Sequence, residues 1–209
     1  MIAVLKHELS GYFHSLTAYI FSGFLLAFVG LGTLLYNIQS AVANFEYVLG
    51  FVCIGLTVFI PILTMRVVSE EKKQKTDQLL YSLPLKTSEI VLGKYMALLI
   101  VYLIPLCIVA IYPAIFAKFG EVYLPTSYGS LFAFFVMGAA LMAVGTFISS
   151  LVDNQGFAAG ITISILLLNY YSVTLAEYVS ATALGSVIAL AVIAVLVGIL
   201  IRVLTKNET

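Results

Sequence analysis

Charged residues interrupt this chain only at intervals, and between them run long stretches of apolar side chains. Six such stretches cover residues 16–36, 47–65, 95–117, 125–151, 154–176 and 178–201. Each is close to the roughly 20 apolar residues that a helix rising about 1.5 Å per residue needs to cross a hydrocarbon core. Helices satisfy their backbone groups internally, as lipid demands. A transmembrane barrel would instead show alternating segments of about 10 residues, which these runs are not. The pattern predicts an all-α integral membrane protein of six transmembrane helices, forming a single domain over 1–209.

The first fifteen residues follow another rule. Ile2, Leu5, Leu9, Tyr12, Phe13 and Leu16 recur at helical spacing, while Lys6, His7, Glu8, Ser10 and His14 take other faces. This predicts an amphipathic interfacial helix over 1–15. A secretory signal is not expected, because these charges fall where its uninterrupted apolar core should lie.

Composition and charge sharpen the picture. Only 10% of the residues are charged and 62% are hydrophobic, against about 25% charge in a soluble domain. The formal net charge is zero, so bulk charge gives no reason to expect nucleic acid. Cys53 and Cys107 both lie inside apolar runs and imply no disulfide framework. Nine of the ten basic residues, Lys6, Arg66, Lys72, Lys73, Lys75, Lys86, Lys94, Arg202 and Lys206, fall on one side if both termini are cytoplasmic, leaving Lys118 outside. The outer connections, at 37–46, at 118–124 and around Glu177, are short.

The segment 66–94 is far longer than a turn between two spans needs. It opens with mixed charge, passes to Leu79, Leu80, Tyr81 and Leu83, and is broken by Pro84. Thr87 or Ser88 can cap the helix that follows. Exposed leucines beside charges suit a docking face for a cytoplasmic partner; equally, a basic loop can fix topology and touch lipid headgroups. From pattern alone both readings stand. Glu71 and Lys75 also suit an i,i+4 ion pair.

Other chemistry is sparse. Adjacent Glu70 and Glu71 suggest a membrane protease, but the two histidines, His7 and His14, precede the first span. Those two give at most a weak metal site, so no metal ligands are expected. No span holds an ionisable residue away from its edges, which disfavours an ion-coupled transporter or channel. A purely structural anchor for a partner is a further alternative. Pro105 and Pro113 can kink the third span, and Gly156-x-x-x-Gly160 suits close helix packing. Asn169, Tyr170, Tyr171, Ser172 and Thr174 cluster in the fifth; Asn169, Tyr170 and Ser172 are candidates for lining a substrate pathway, the alternative being an interfacial aromatic belt. The chain has no G-x-x-x-x-G-K-[ST] phosphate cradle, so it is not expected to hydrolyse ATP itself.

The run Ser69-Glu70-Glu71-Lys72-Lys73-Gln74-Lys75-Thr76-Asp77-Gln78-Leu79-Leu80, followed by Leu83-Pro84-Leu85 and Glu89-Ile90-Val91-Leu92-Gly93-Lys94-Tyr95, resembles the first cytoplasmic loop of ABC-2 type permeases. Gln78 stands where members often have Glu, and the connection between the fifth and sixth spans is shorter than in many of them. The resemblance implies a coupling helix between helices 2 and 3, with Glu70, Glu71, Lys75, Thr76, Asp77, Gln78, Leu79 and Leu80 facing an ATPase. It further implies two ABC ATPase subunits that bring ATP and Mg, and a second permease copy, most simply a homodimer. On this reading the chain is the membrane half of an ATP-driven exporter in the cell membrane of a prokaryote. Its substrate is expected to be amphipathic or hydrophobic. Small permeases of this kind resemble exporters of antimicrobial or cytolytic peptides, phenol-soluble modulins among them; lipids or hydrophobic drugs are the alternative.

Overall fold

The computed structural model describes residues 2–40, 44–69, 87–178 and 187. The chain divides into two units, Met1–Leu166 and Leu167–Thr209. The first holds α1 (Ile2–His14), α2 (Leu16–Gly32) with its π-helical extension Thr33–Gln39, and α3 (Glu46–Thr64). It continues with α4 (Thr87–Val109), the short α5 (Ile111–Phe116) and α6 (Leu124–Leu151), and α7 (Gln155–Tyr178) runs from it into the second unit. The described residues contain no strand. Four stretches are long and apolar enough to cross a membrane: Leu16–Gln39, Glu46–Thr64, Ser88–Phe116 and Leu124–Leu151. They coincide with the first four expected runs to within a few residues, apart from the helical start of α4, which begins well before residue 95. The chain is therefore a multi-pass membrane protein. The fifth run corresponds to α7; the sixth, at 178–201, and the expected coupling helix lie outside the described residues, Tyr178 and Val187 excepted.

Local sequence explains the helix ends. Ser15 has extended backbone (φ −94°, ψ 152°) and separates α1 from α2. Pro125 sits in the first turn of α6, where its missing N–H costs nothing. Asn154 caps α7 by accepting the Gly156 N–H at 2.9 Å. In the third span Pro113 has no N–H to offer the Val109 carbonyl. The helix breaks there, between Val109 and Ile111. From α6 the Tyr128 hydroxyl donates to the Ala110 carbonyl at this break, at 3.3 Å.

Packing follows the helical stripes. Phe21, Leu25 and Val29 of α2 meet Val48, Val52, Leu56 and Ile60 of α3, all buried. On its other side α3 packs against α6, while α4 packs against α1, α2 and α6. Two glycines of α6 make these approaches possible. A Cβ at Gly138 would run into the ring of Tyr102, and one at Gly145 into the Thr64 side chain. The expected close-packing pair, Gly156 and Gly160, is exposed and meets no neighbouring helix among the described residues.

Within α1 the buried stripe differs from the apolar face read in the sequence. Val4 and Tyr12 are buried, with Leu5 and Leu9 partly so, whereas Ile2, Phe13 and Leu16 are exposed. Glu8 lies one turn from both Val4 and Tyr12, which places its carboxylate on the packed side.

Candidate functional site

The antiparallel course of the spans brings four things to one end of the first unit: α1, the exit of α3, the entry of α4 and the end of α6. Both stems of the long 66–94 loop therefore emerge here. The residues expected to face an ATPase, Glu70, Glu71, Lys75, Thr76, Asp77, Gln78, Leu79 and Leu80, lie outside the described residues. The stems are described, and they are held by two polar anchors.

The first anchor is Lys94, near the start of α4. Its side chain is only 4% exposed, and its Nζ donates to Glu8 Oε1 of α1 at 2.7 Å, Glu8 being 18% exposed. The same ammonium donates to the Val67 carbonyl at 3.1 Å, just past the end of α3. A helix leaves its last carbonyls without partners and carries partial negative charge at that end. A lysine there meets both needs, and a buried lysine needs a carboxylate nearby. One side chain thus ties three elements together.

The second anchor is Ser149, fully buried near the end of α6. Its Oγ donates to the Met65 carbonyl at 3.2 Å and accepts the backbone N–H groups of Val68 and Ser69, each at 3.3 Å. One donor and two acceptor sites are all a hydroxyl has, so this one is saturated. Ser69 adds a second hydroxyl bond to the Met65 carbonyl. The turn that leaves α3 is thereby fixed to α6 on one side and to α4 and α1 on the other.

Replacing Ser149 by alanine is expected to leave the buried Ser69 N–H and the half-buried Val68 N–H without their acceptor, at about 1–3 kcal/mol for the buried one and less for the other. Hydrogen exchange at Val68 and Ser69 reads this out. The amides should lose protection while those in the middle of α3 keep theirs; unchanged exchange at both would contradict the anchor.

Arg66 lies beside these anchors, its Nη1 donating to Thr17 Oγ1 of α2 at 3.3 Å. The pathway candidates are on α7. Asn169, Tyr170 and Ser172 have exposed side chains, the Tyr170 and Tyr171 rings meet edge to face at 5.1 Å, and Ser172 Oγ bonds the Asn169 carbonyl at 2.7 Å. These contacts are internal to the helix. His14 Nδ1 donates to the Ser10 carbonyl at 2.7 Å.

Sequence reading did not single out the Glu8–Lys94 pair or Ser149. Glu8 and Lys94 are 86 positions apart, and the partners of Ser149 lie 80 to 84 positions away, so no local pattern links them. The one available signal was an acid spaced a turn from Val4 and Tyr12 in an otherwise apolar stripe.

No curated protein matches the chain. Residues 32–183 match the family described as ABC-2 family transporter protein. The matched region contains both stems of the long loop, all of α3 to α6 and Lys94 with Ser149. It leaves α1 and Glu8 outside. A domain of this kind is the membrane component of transport rather than its ATPase, and it implies association with an ABC ATPase. The chain belongs to the ABC-2 family of transporters and is a permease subunit.

Proposed function

We propose that this permease exports an amphipathic or hydrophobic substrate, and that the 66–94 loop is where an ATPase drives it. The observation that carries this reading is the double anchoring of the loop's stems. Met65, Val67, Val68 and Ser69 are bonded through Lys94 and Ser149 to α1, α4 and α6. A force applied to the loop would pass into three helices rather than bending one free connection. Glu70, Glu71, Lys75, Thr76, Asp77, Gln78, Leu79 and Leu80 would then form the ATPase-facing helix, with Leu79 and Leu80 as its apolar contact. Two ATPase subunits, carrying the ATP and Mg, would act on two permease copies, most simply a homodimer. Closure of the ATPase pair reorients the spans around a central path.

The charge distribution favours cytoplasmic termini, and the setting is the cell membrane of a prokaryote. Scarce charge in the spans disfavours a sugar or ion as cargo. A helical peptide of antimicrobial or phenol-soluble modulin type is the preferred substrate, and Asn169, Tyr170 and Ser172 are the residues assigned to its path.

Leu79→Glu with Leu80→Glu is the direct test. The variant is expected to insert in the membrane normally, to lose the co-purifying ATPase and to stop transporting. Full retention of the ATPase would sink the docking assignment. With the reconstituted complex, amphipathic helical peptides are expected to stimulate ATP hydrolysis; stimulation by lipids alone would replace the peptide as substrate.

A further inference from the structure

A groove of about 420 Å³ runs between α2 and α3 beside Arg66, within the roughly 300–1,000 Å³ of small-molecule sites. Its walls are apolar. Ile20 and Phe24 come from α2, and Phe59 and Ile62 from α3. Phe24 stacks on Phe59 with ring centroids 5.1 Å apart and forms the far end. Thr17 and Arg66 form the near end, at the ends of the apolar stretches Leu16–Gln39 and Glu46–Thr64. From Thr17 to Phe24 the helix rises about 10 Å, a depth suited to an extended hydrocarbon chain. We infer that this groove holds an anionic phospholipid, its phosphate on Arg66 and Thr17 and one acyl chain along Ile20, Phe24, Phe59 and Ile62.

Charge argues for that occupant. The guanidinium presents a planar fork that matches phosphate. Its hydrogen bond to Thr17 Oγ1 uses one N–H and holds the fork over the groove mouth. Glu8 shares an adjoining small polar cavity with Thr17 and Arg66. Glu8 is already matched to Lys94 at 2.7 Å, so among the described residues the mouth is left with net positive charge. Basic pockets between transmembrane helices at the membrane surface are suited to anionic headgroups. A second copy of the chain fits less well. Related by an axis along the membrane normal, it would bring another Arg66 to the same depth instead of an anion. The lipid is a resident ligand and not the cargo, so the inference stands apart from the transport reading.

The test uses the full chain purified in detergent, with native mass spectrometry against phosphatidylglycerol, phosphatidylcholine and inorganic phosphate. Wild type is expected to retain phosphatidylglycerol about tenfold better than phosphatidylcholine, and inorganic phosphate should not displace it. Arg66→Gln should abolish the preference, Arg66→Lys should keep part of it, and Ile20→Trp, which fills the groove but keeps the charge, should weaken both lipids. Helicity and gel-filtration profile confirm that each variant is folded. Equal retention of the two lipids by wild type, an unchanged preference in Arg66→Gln, or displacement by inorganic phosphate would overturn the assignment. So would a wild-type dimer without bound phosphatidylglycerol that Ile20→Trp dissociates, which would give the groove to a second copy.

Discussion

Glu8→Ala is expected to destabilise the chain by about 3 kcal/mol, in the range for removing one partner of a buried ion pair, and to do more harm than Lys94→Met. The asymmetry follows from burial. Lys94 is 4% exposed and Glu8 18%, so an ammonium deprived of its carboxylate has little access to water, whereas the carboxylate deprived of its ammonium has some. Lys94→Met also forfeits the bond to the Val67 carbonyl, which narrows the gap without closing it. The double variant Glu8→Leu with Lys94→Met should be more stable than the sum of the single losses, because neither charge is then left behind. Reversible unfolding of the purified chain in mixed detergent measures all three. If Lys94→Met proved clearly the worse of the single changes, the carbonyl contact rather than the ion pair would be the dominant anchor. In the transport reading, the double variant is also the informative one. It restores stability without restoring the link between α1 and the loop, so loss of transport there would come from the link.

The second large effect is expected at Gly138. Alanine in the middle of a helix normally gains up to about 1 kcal/mol over glycine, so Gly138→Ala would stabilise the chain if α6 stood alone. Here the added methyl meets the Tyr102 ring. That ring cannot step aside. It is fully buried, stacks on Phe135 at 5.8 Å, touches Phe21 edge to face at 6.2 Å, and its hydroxyl donates to the Phe134 carbonyl at 3.0 Å. Overpacking of this kind costs typically 1–3 kcal/mol or more, which outweighs the helical gain. Gly138→Ala is expected to lower the unfolding temperature, and Tyr102→Leu in the same chain to recover part of it by making room. A neutral or stabilising Gly138→Ala would mean that α4 and α6 are not held as closely as described.

Much of this architecture was readable because lipid permits so few solutions. Uninterrupted apolar runs bounded by Tyr36, Arg66, Lys94 and Lys118 can hardly be anything but spans, and four of them appear as such. Their ends were less legible. The helix of the third span, α4, begins at Thr87, before the apolar run, since a helix can extend beyond hydrocarbon into polar surroundings. The same span breaks at Ala110, where the sequence offered only a kink at a proline. Lys94 was read as a topological charge at the edge of a span. Its burial depends on Glu8, 86 residues earlier, and no periodicity within α4 encodes that. Ser149 was invisible for a related reason. A serine near the end of an apolar helix commonly bonds its own backbone, and only the neighbouring exit of α3 gives it another task. Which glycines pack closely was only partly legible, because a small-x-x-x-small pattern marks a smooth surface without saying which partner lies against it. Gly138 and Gly145 have such partners in Tyr102 and Thr64; among the described residues Gly156 and Gly160 meet no neighbouring helix.

The Glu8–Lys94 contact also constrains the order in which the chain can be assembled. During synthesis Glu8 and the Val67 carbonyl are both made before Lys94 exists. The principal packing surface for α1 is α4, with α2 a lesser one, so the first helix made lacks its main partner until the third span has entered the bilayer. Until then the Glu8 carboxylate is without the ammonium it bonds in the folded chain. Docking of the N-terminal helix is therefore a late event in biogenesis, and it reports that the first three spans have been inserted in the correct sense.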